Sequence, residues 1–275
     1  MADLTETEIP GLRFPEGPRW HDGALWFSDQ LGGAVRRLTA DGAVDVVVEL
    51  DRPSGLGFCA DGSLLVATMA TAEVVHVHDG IVKDRVELGA HAAHLNDMYV
   101  DPHGRAYVDA YGEDWNAGDL LLVDTDGSVT VVANELAFPN GVAVTPDGAT
   151  LIVSETMAAR ITAFDVAADG ALSNRRVWAA LPDRAPDGLC LDAEGAVWVA
   201  SYLTGEFLRV HEGGEVTDHI QLPAGRWALA CALGGADGRV LHLCSAETDQ
   251  DRYFAGDAIG HLDLCRVDVA GVGRP

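Results

Sequence analysis

The chain has 275 residues, 48% of them hydrophobic, enough for one large domain or two small ones with a real core. Its 43 acidic residues outnumber the 18 basic ones, for a formal net charge of −25, and Lys83 is the only lysine. Such a surface repels nucleic acid and anionic membranes, which leaves a small molecule as the partner and says nothing of oligomeric state.

The five cysteines, Cys59, Cys190, Cys231, Cys244 and Cys265, form no C-x-x-C pair. Most lie in apolar strand-like runs, where a reduced, buried thiol is expected. The first residues, Met1 to Glu6, are acidic and lack the basic and apolar regions of a signal peptide. No apolar run approaches the roughly 20 residues of a membrane span. A cytoplasmic location is the expectation.

In chain order, residues 14–29 set a pattern. A polar residue before glycine (Glu16-Gly17) opens a strand, Asp22-Gly23 turns it, and Ala24 to Asp29 returns. Asp-Gly between apolar runs is a strong hairpin signal. A third strand, Gly33 to Leu38, turns at Asp41-Gly42 into a fourth, Val44 to Val48. The unit recurs from Pro53-Ser54-Gly55, Leu95-Asn96-Asp97, Pro139-Asn140-Gly141 and Pro186-Asp187-Gly188, and less regularly from Arg226-Trp227-Ala228. The starts are separated by 38 to 47 residues. Four short strands at a period of about 40–50 residues mark propeller blades. No stretch sustains a helical apolar period. The expected fold is all-β: a six-bladed β-propeller with four-stranded antiparallel blades, residues 1–275 forming one domain. The residues before Phe14 should add an outer strand to the last blade and close the ring. Longer spacers at 110–118, 181–185 and 247–257 are candidates for binding loops.

In a propeller the innermost strands line the central channel, so equivalent positions converge at one mouth. Here they are Glu16, Ser54, Asn96, Asn140, Asp187 and Ala228. Two carboxylates and two carboxamides offer only oxygen. Two anions gathered there call for a counter-charge. One divalent metal ion would offset them, Ca²⁺ first, with Mg²⁺, Mn²⁺ or oxygen-ligated Zn²⁺ as alternatives. Ser54 and Ala228 leave one side without strong ligands, and that side should admit substrate. Asp97, next to Asn96, should point off the channel if the strand is regular.

These motifs, with Pro15-Glu16-Gly17-Pro18-Arg19-Trp20, Asn96-Asp97, Phe138-Pro139-Asn140-Gly141, Pro186-Asp187-Gly188 and Gly234-Gly235-Ala236-Asp237 in order, resemble the senescence-marker-protein/gluconolactonase/luciferin-regenerating (regucalcin-like) family. The resemblance covers nearly the whole chain. It implies a six-bladed propeller with one catalytic divalent metal, held by Glu16, Asn140 and Asp187. It makes Asn96 either a fourth ligand or a substrate contact, and Asp187 also the general base or nucleophile. Regucalcin-like members tend to carry an arginine two residues before the Asn-Asp pair, where it contacts a sugar acid. Here that place is His94, and an imidazole would not hold a polyhydroxylated substrate in the same way. With Tyr99, Tyr111, Trp115 and Trp227 as candidate aromatic surface, a more apolar or aromatic substrate than gluconolactone is expected.

The expected activity is metal-dependent hydrolysis of a lactone or related ester, with Asp187 as base and Asn96 and His94 orienting the substrate or the developing oxyanion. The same site could instead drive a lyase or isomerase reaction, or belong to a non-catalytic calcium-binding propeller. No G-x-S-x-G elbow is present to support serine-triad chemistry.

Overall fold

The computed structural model describes residues 4–113 and 117–273. Its strands form six four-stranded antiparallel sheets, five of them built from four consecutive strands. The innermost strands are Pro15–His21, Pro53–Phe58, His94–Val100, Pro139–Val144, Pro186–Leu191 and Arg226–Gly234. Each packs against the next, and the sixth packs against the first. The arrangement is the expected six-bladed β-propeller.

The sixth blade differs in origin. Arg226–Gly234, Val240–Glu247 and Ile259–Arg266 come from the C-terminal part, and Thr5–Thr7 supplies the outer strand. Leu264 pairs with Thr5 and Leu262 with Thr7, so the first residues close the ring as expected. Arg226 and His261 both bind Glu6 and hold this strand in place.

Burial follows strand position within a blade. Inner strands such as Pro139–Val144 are buried throughout, because neighbouring blades cover both faces. Outer strands such as Ile81–Glu87 are mostly exposed and carry the charges. The core is accordingly divided into clusters that fill the seams between blades. Leu56, Phe58 and Val66 meet Val35 and Leu50 between blades one and two. Phe27 and Leu25 meet Ala230 and Cys244 between blades one and six. All five cysteines are free thiols.

Helix is nearly absent among the described residues. A 3-10 turn spans Thr156–Ala158 and one short helix spans Gln250–Phe254. No described helix is long and apolar enough to cross a membrane.

Candidate active site at the mouth of the channel

The reference residues owe their placement to a backbone irregularity shared by all six blades. Each inner strand shifts register beside its reference residue: Glu16/Arg19, Pro53/Leu56, Leu95/Met98, Pro139/Val142, Pro186/Leu189 and Ala228/Ala230. A bulge adds one residue to one strand and re-aims its side chains. The glycine that follows serves a second need, close approach of the next inner strand. A Cβ on Gly141 would lie 2.6 Å from the Leu189 nitrogen, and one on Gly188 only 2.5 Å from the Ala230 Cβ. The polar-residue-glycine motif thus marks where neighbouring inner strands crowd together.

Three reference side chains fold back onto the amide that follows. Glu16 Oε2 accepts from the Gly17 N–H at 3.2 Å, Asn140 Oδ1 accepts from Gly141 at 2.9 Å, and Asp187 accepts from Gly188. All three are buried. Burial, followed by the charge of Asp97, pushes the Glu16 carboxyl up to about 8. Asp187 is held well above the usual carboxylate range, by burial first and then by the fields of Glu16 and Asp97. These are two buried acids that repel each other, and neither has an ion pair among the described residues.

Asp97 departs from the expectation of a side chain turned off the channel. Its strand is not regular, because the bulge falls between Leu95 and Met98. The Asp97 carboxylate is buried, accepts from Arg19 at 3.1 Å, and raises both Glu16 and Asp187. Arg19 is held in turn by the Met98 carbonyl at 2.5 Å. The sequence motif Pro15-Glu16-Gly17-Pro18-Arg19-Trp20 contains this arginine without indicating its role.

Asn96 is fixed by two sets of bonds. Its backbone N–H donates to Asp109 Oδ1 at 2.8 Å, and Tyr111 donates to the other Asp109 oxygen at 3.4 Å. Burial, then the field of Asp97, holds Asp109 well above its ordinary range. Asp109 had a readable signal, an acid inside the apolar run Ala106–Tyr111, which sequence reasoning passed over. On the other side, the Tyr253 hydroxyl donates to Gln30 Oε1 at 2.7 Å. Gln30 Nε2 donates to Ser54 Oγ at 3.4 Å, and Ser54 donates to Asn96 Oδ1 at 2.7 Å. Ser54 therefore occupies the Asn96 oxygen, and the Asn96 side chain also hydrogen-bonds the Tyr111 oxygen, which leaves one amide N–H for another partner.

This chain also overturns the expected opening beside Ser54 and Ala228. Ser54 is 1% exposed, Gln30 2% and Ala228 0%. Gln30 and Tyr253 fill that side, while Trp227 stands between Tyr202 and Tyr253, with ring centroids 5.3 and 6.3 Å away. Gln30 directly follows the strand Ala24–Asp29, and Tyr253 comes from the 247–257 loop. Asp249 caps its short helix by accepting from the Arg252 N–H, and Phe14 packs on Tyr253 at 4.9 Å.

The other named residues fall as follows. His94 opens the third inner strand, half-buried, opposite Tyr111. Tyr111 is buried beside Phe138, with ring centroids 4.7 Å apart. Tyr99 is not at the mouth. It lies farther along its strand and lines a cavity of about 70 Å³ with Arg19, Trp20 and Val144. Trp115 lies outside the described residues. No three His, Cys, Asp or Glu side chains gather closely enough to hold a metal ion among the described residues. The oxygen set is instead Glu16 and Asp187 with the amide of Asn140, the Asn96 oxygen being engaged by Ser54. A divalent cation fits it, because it would neutralise two buried, mutually repelling acids, and all-oxygen ligation suits Ca²⁺.

Residues 14–247 match the sequence model of the SMP-30/Gluconolactonase/LRE-like region. The chain belongs to this family. It is 31% identical to the pentonolactonase of Haloferax volcanii over 99% of this chain and 96% of that one. It is 30% identical to the 6-deoxy-6-sulfogluconolactonase of Pseudomonas putida over 94% of this chain and 93% of that one. Among solved structures, the calcium-binding regucalcin of Agrobacterium tumefaciens superposes with a TM-score of 0.83 at 23% identity, covering 100% of this chain and 97% of that one. Family membership bears on all six blades, since the matched region runs from Phe14 in the first to Glu247 in the last.

Proposed function

We propose that this protein hydrolyses a lactone or related ester at the channel mouth, with a divalent cation held by Glu16, Asn140 and Asp187. The observation that carries the reading is the pair of buried acids, Glu16 and Asp187, each raised by burial and by its acidic neighbours. Such a pair is costly in a scaffold and useful around a cation. Two relatives of at least 30% identity over nearly the whole chain are lactonases by name, which supports the same bond as target.

When bound, the cation supplies positive charge that polarises the lactone carbonyl and makes water more acidic. Asp187 accepts a proton from the attacking water as its oxygen bonds to the carbonyl carbon. The ring C–O bond then breaks, and that proton goes to the departing ring oxygen, giving a hydroxy acid. Asn96 serves as a substrate contact rather than a fourth ligand. Its oxygen is engaged by Ser54 and its amide also bonds Tyr111, so its remaining N–H donates to the oxyanion. Tyr202, Trp227 and Tyr253 offer an aromatic wall for the face of the lactone ring. His94, beside Tyr111, helps to orient the substrate.

The test strips the protein of metal and refills it separately with Ca²⁺, Mn²⁺, Mg²⁺ or Zn²⁺ before assay on aliphatic and aromatic lactones. Activity restored by one ion and absent in Asp187→Ala is the expected result. Failure of calorimetry to detect any cation binding would refute the metal part of the reading. Tight binding without turnover of any lactone would refute the hydrolase part.

A further inference from the structure

Many arginines of this protein are tied to acids. Arg36 pairs with Asp29 at 3.1 Å, Arg160 and Arg175 with Glu155 at 2.9 and 3.1 Å, and Arg184 with Glu206 at 3.2 Å. Arg226 pairs with Asp263 at 3.1 Å and Arg252 with Asp257 at 2.8 Å. Arg52 is different. Among the described residues its guanidinium has neither an ion pair nor a hydrogen-bond acceptor, in a chain with 43 acids and 18 bases. Its one contact of note is with Tyr253, whose ring centroid lies 6.0 Å from the guanidinium carbon.

The backbone holds Arg52 at the mouth. It immediately precedes Pro53, where the second inner strand begins, and its carbonyl accepts from the Met69 N–H at 2.9 Å. Its φ is +44°, a left-handed conformation that is uncommon for a non-glycine residue. Two residues on, Ser54 donates to Asn96. The hydroxyl of the same Tyr253 starts the hydrogen-bond chain that ends there. A half-buried cation therefore stands one aromatic ring away from the groups that fix Asn96.

We propose that Arg52 binds an anionic substituent of the substrate, so that the preferred lactone carries a carboxylate, sulfonate or phosphate on an arm away from its ring carbonyl. This deepens the lactonase reading and rests on it. The chemistry is direct. A protein of net charge −25 repels an anionic molecule unless a cation receives it. Guanidinium matches such groups with two parallel N–H donors. Tyr253 supports the apolar face of the guanidinium, leaving its N–H edge for the ligand.

The test uses a matched pair, a γ-butyrolactone with a carboxymethyl arm and the methyl ester of that arm. The metal-loaded protein should favour the acid in kcat/KM by about tenfold, and the preference should shrink as salt rises to about 0.5 M. Arg52→Gln should lower kcat/KM for the acid by about tenfold and for the ester far less, and Arg52→Lys should recover part of the loss. An acid no better than its ester, or a preference that survives Arg52→Gln in a folded protein, would overturn the proposal and leave the lactonase reading intact. If neither lactone is hydrolysed, the lactonase reading fails. Binding of the acid followed by tryptophan fluorescence then decides the role of Arg52: weaker binding in Arg52→Gln upholds it, and equal binding rejects it.

Discussion

Glu155 and Asp187 lie on neighbouring blades, 0% and 7% exposed, and behave in opposite ways. Burial pushes both carboxyls up. At Glu155 it is outweighed by hydrogen bonds from Arg160, the Ala137 N–H and Thr162 and by the charge of Arg175, and the group falls to about 2. At Asp187 the charged neighbours are acids, and the group rises. Burial alone therefore does not separate structural acids from functional ones. The scaffold satisfies Glu155 from within, whereas among the described residues neither Glu16 nor Asp187 has a cationic ion-pair partner, which the proposed divalent cation would supply.

The sharpest way to break this contrast is Asp187→Asn. Turnover should fall about 10³-fold or more, and metal-free stability should rise by about 1 kcal/mol or more because one of two repelling acids is gone. Activity assays and thermal melts in chelator measure the two effects, and a loss of metal-free stability would contradict the comparison. Glu155→Gln should act in the opposite sense. It leaves Arg160 and Arg175 facing a neutral amide and should cost about 3 kcal/mol, the low end for a broken buried pair because both arginines are about a third exposed. The Glu155 contribution is complete above its unfolded value near 4.5 and drains away as pH falls towards 2. Denaturant melts of both proteins across that window should converge at the acid end.

His242 offers a milder version of the same test with a base. It is buried, stacks on Trp20 at 5.4 Å, and neither ring nitrogen has a hydrogen-bond partner among the described residues. Burial alone lowers it from 6.5 to about 4. Between those values the unfolded chain holds the extra proton, so this residue makes stability fall as the solution is acidified. The drop should be on the order of 2–3 kcal/mol from pH 6.5 to 4, and His242→Phe should remove that part of the slope.

What the sequence made legible follows its repeats. Polar-residue-glycine pairs located the inner strands because the same steric crowding recurs at each seam, as at Gly55 against Met98 and Gly188 against Ala230. Asp-Gly turns located the hairpins. The sixth blade was harder to read because Leu229 stands where the other copies keep glycine or Asp97, although the strand bulges there as well. The candidate site was legible at Glu16, Asn96, Asn140 and Asp187, which share one place in the repeat. Gln30, Arg52 and Tyr253 share none. Tyr253 and Gln30 are 223 residues apart in the chain and meet only because the first and last blades are neighbours. That adjacency filled the side where Ser54 and Ala228 had suggested an opening.

The outer strand Thr5–Thr7 has a consequence for how the molecule assembles. Glu6 and His261, 255 residues apart, bond across the last blade, so the sixth sheet is incomplete until both ends of the ring have been made. Blades one to five can form in order during synthesis, each on the one before. Until the final three strands emerge, they make an open arc whose first and fifth blades each present an uncovered apolar face. Closure is the step of highest contact order and should come late and slowly. The seam between the first and last blades is also the one crossed by the Tyr253–Gln30 bond. An unclosed arc would therefore lack the ordered Asn96, and catalytic competence should appear only with the last folding event.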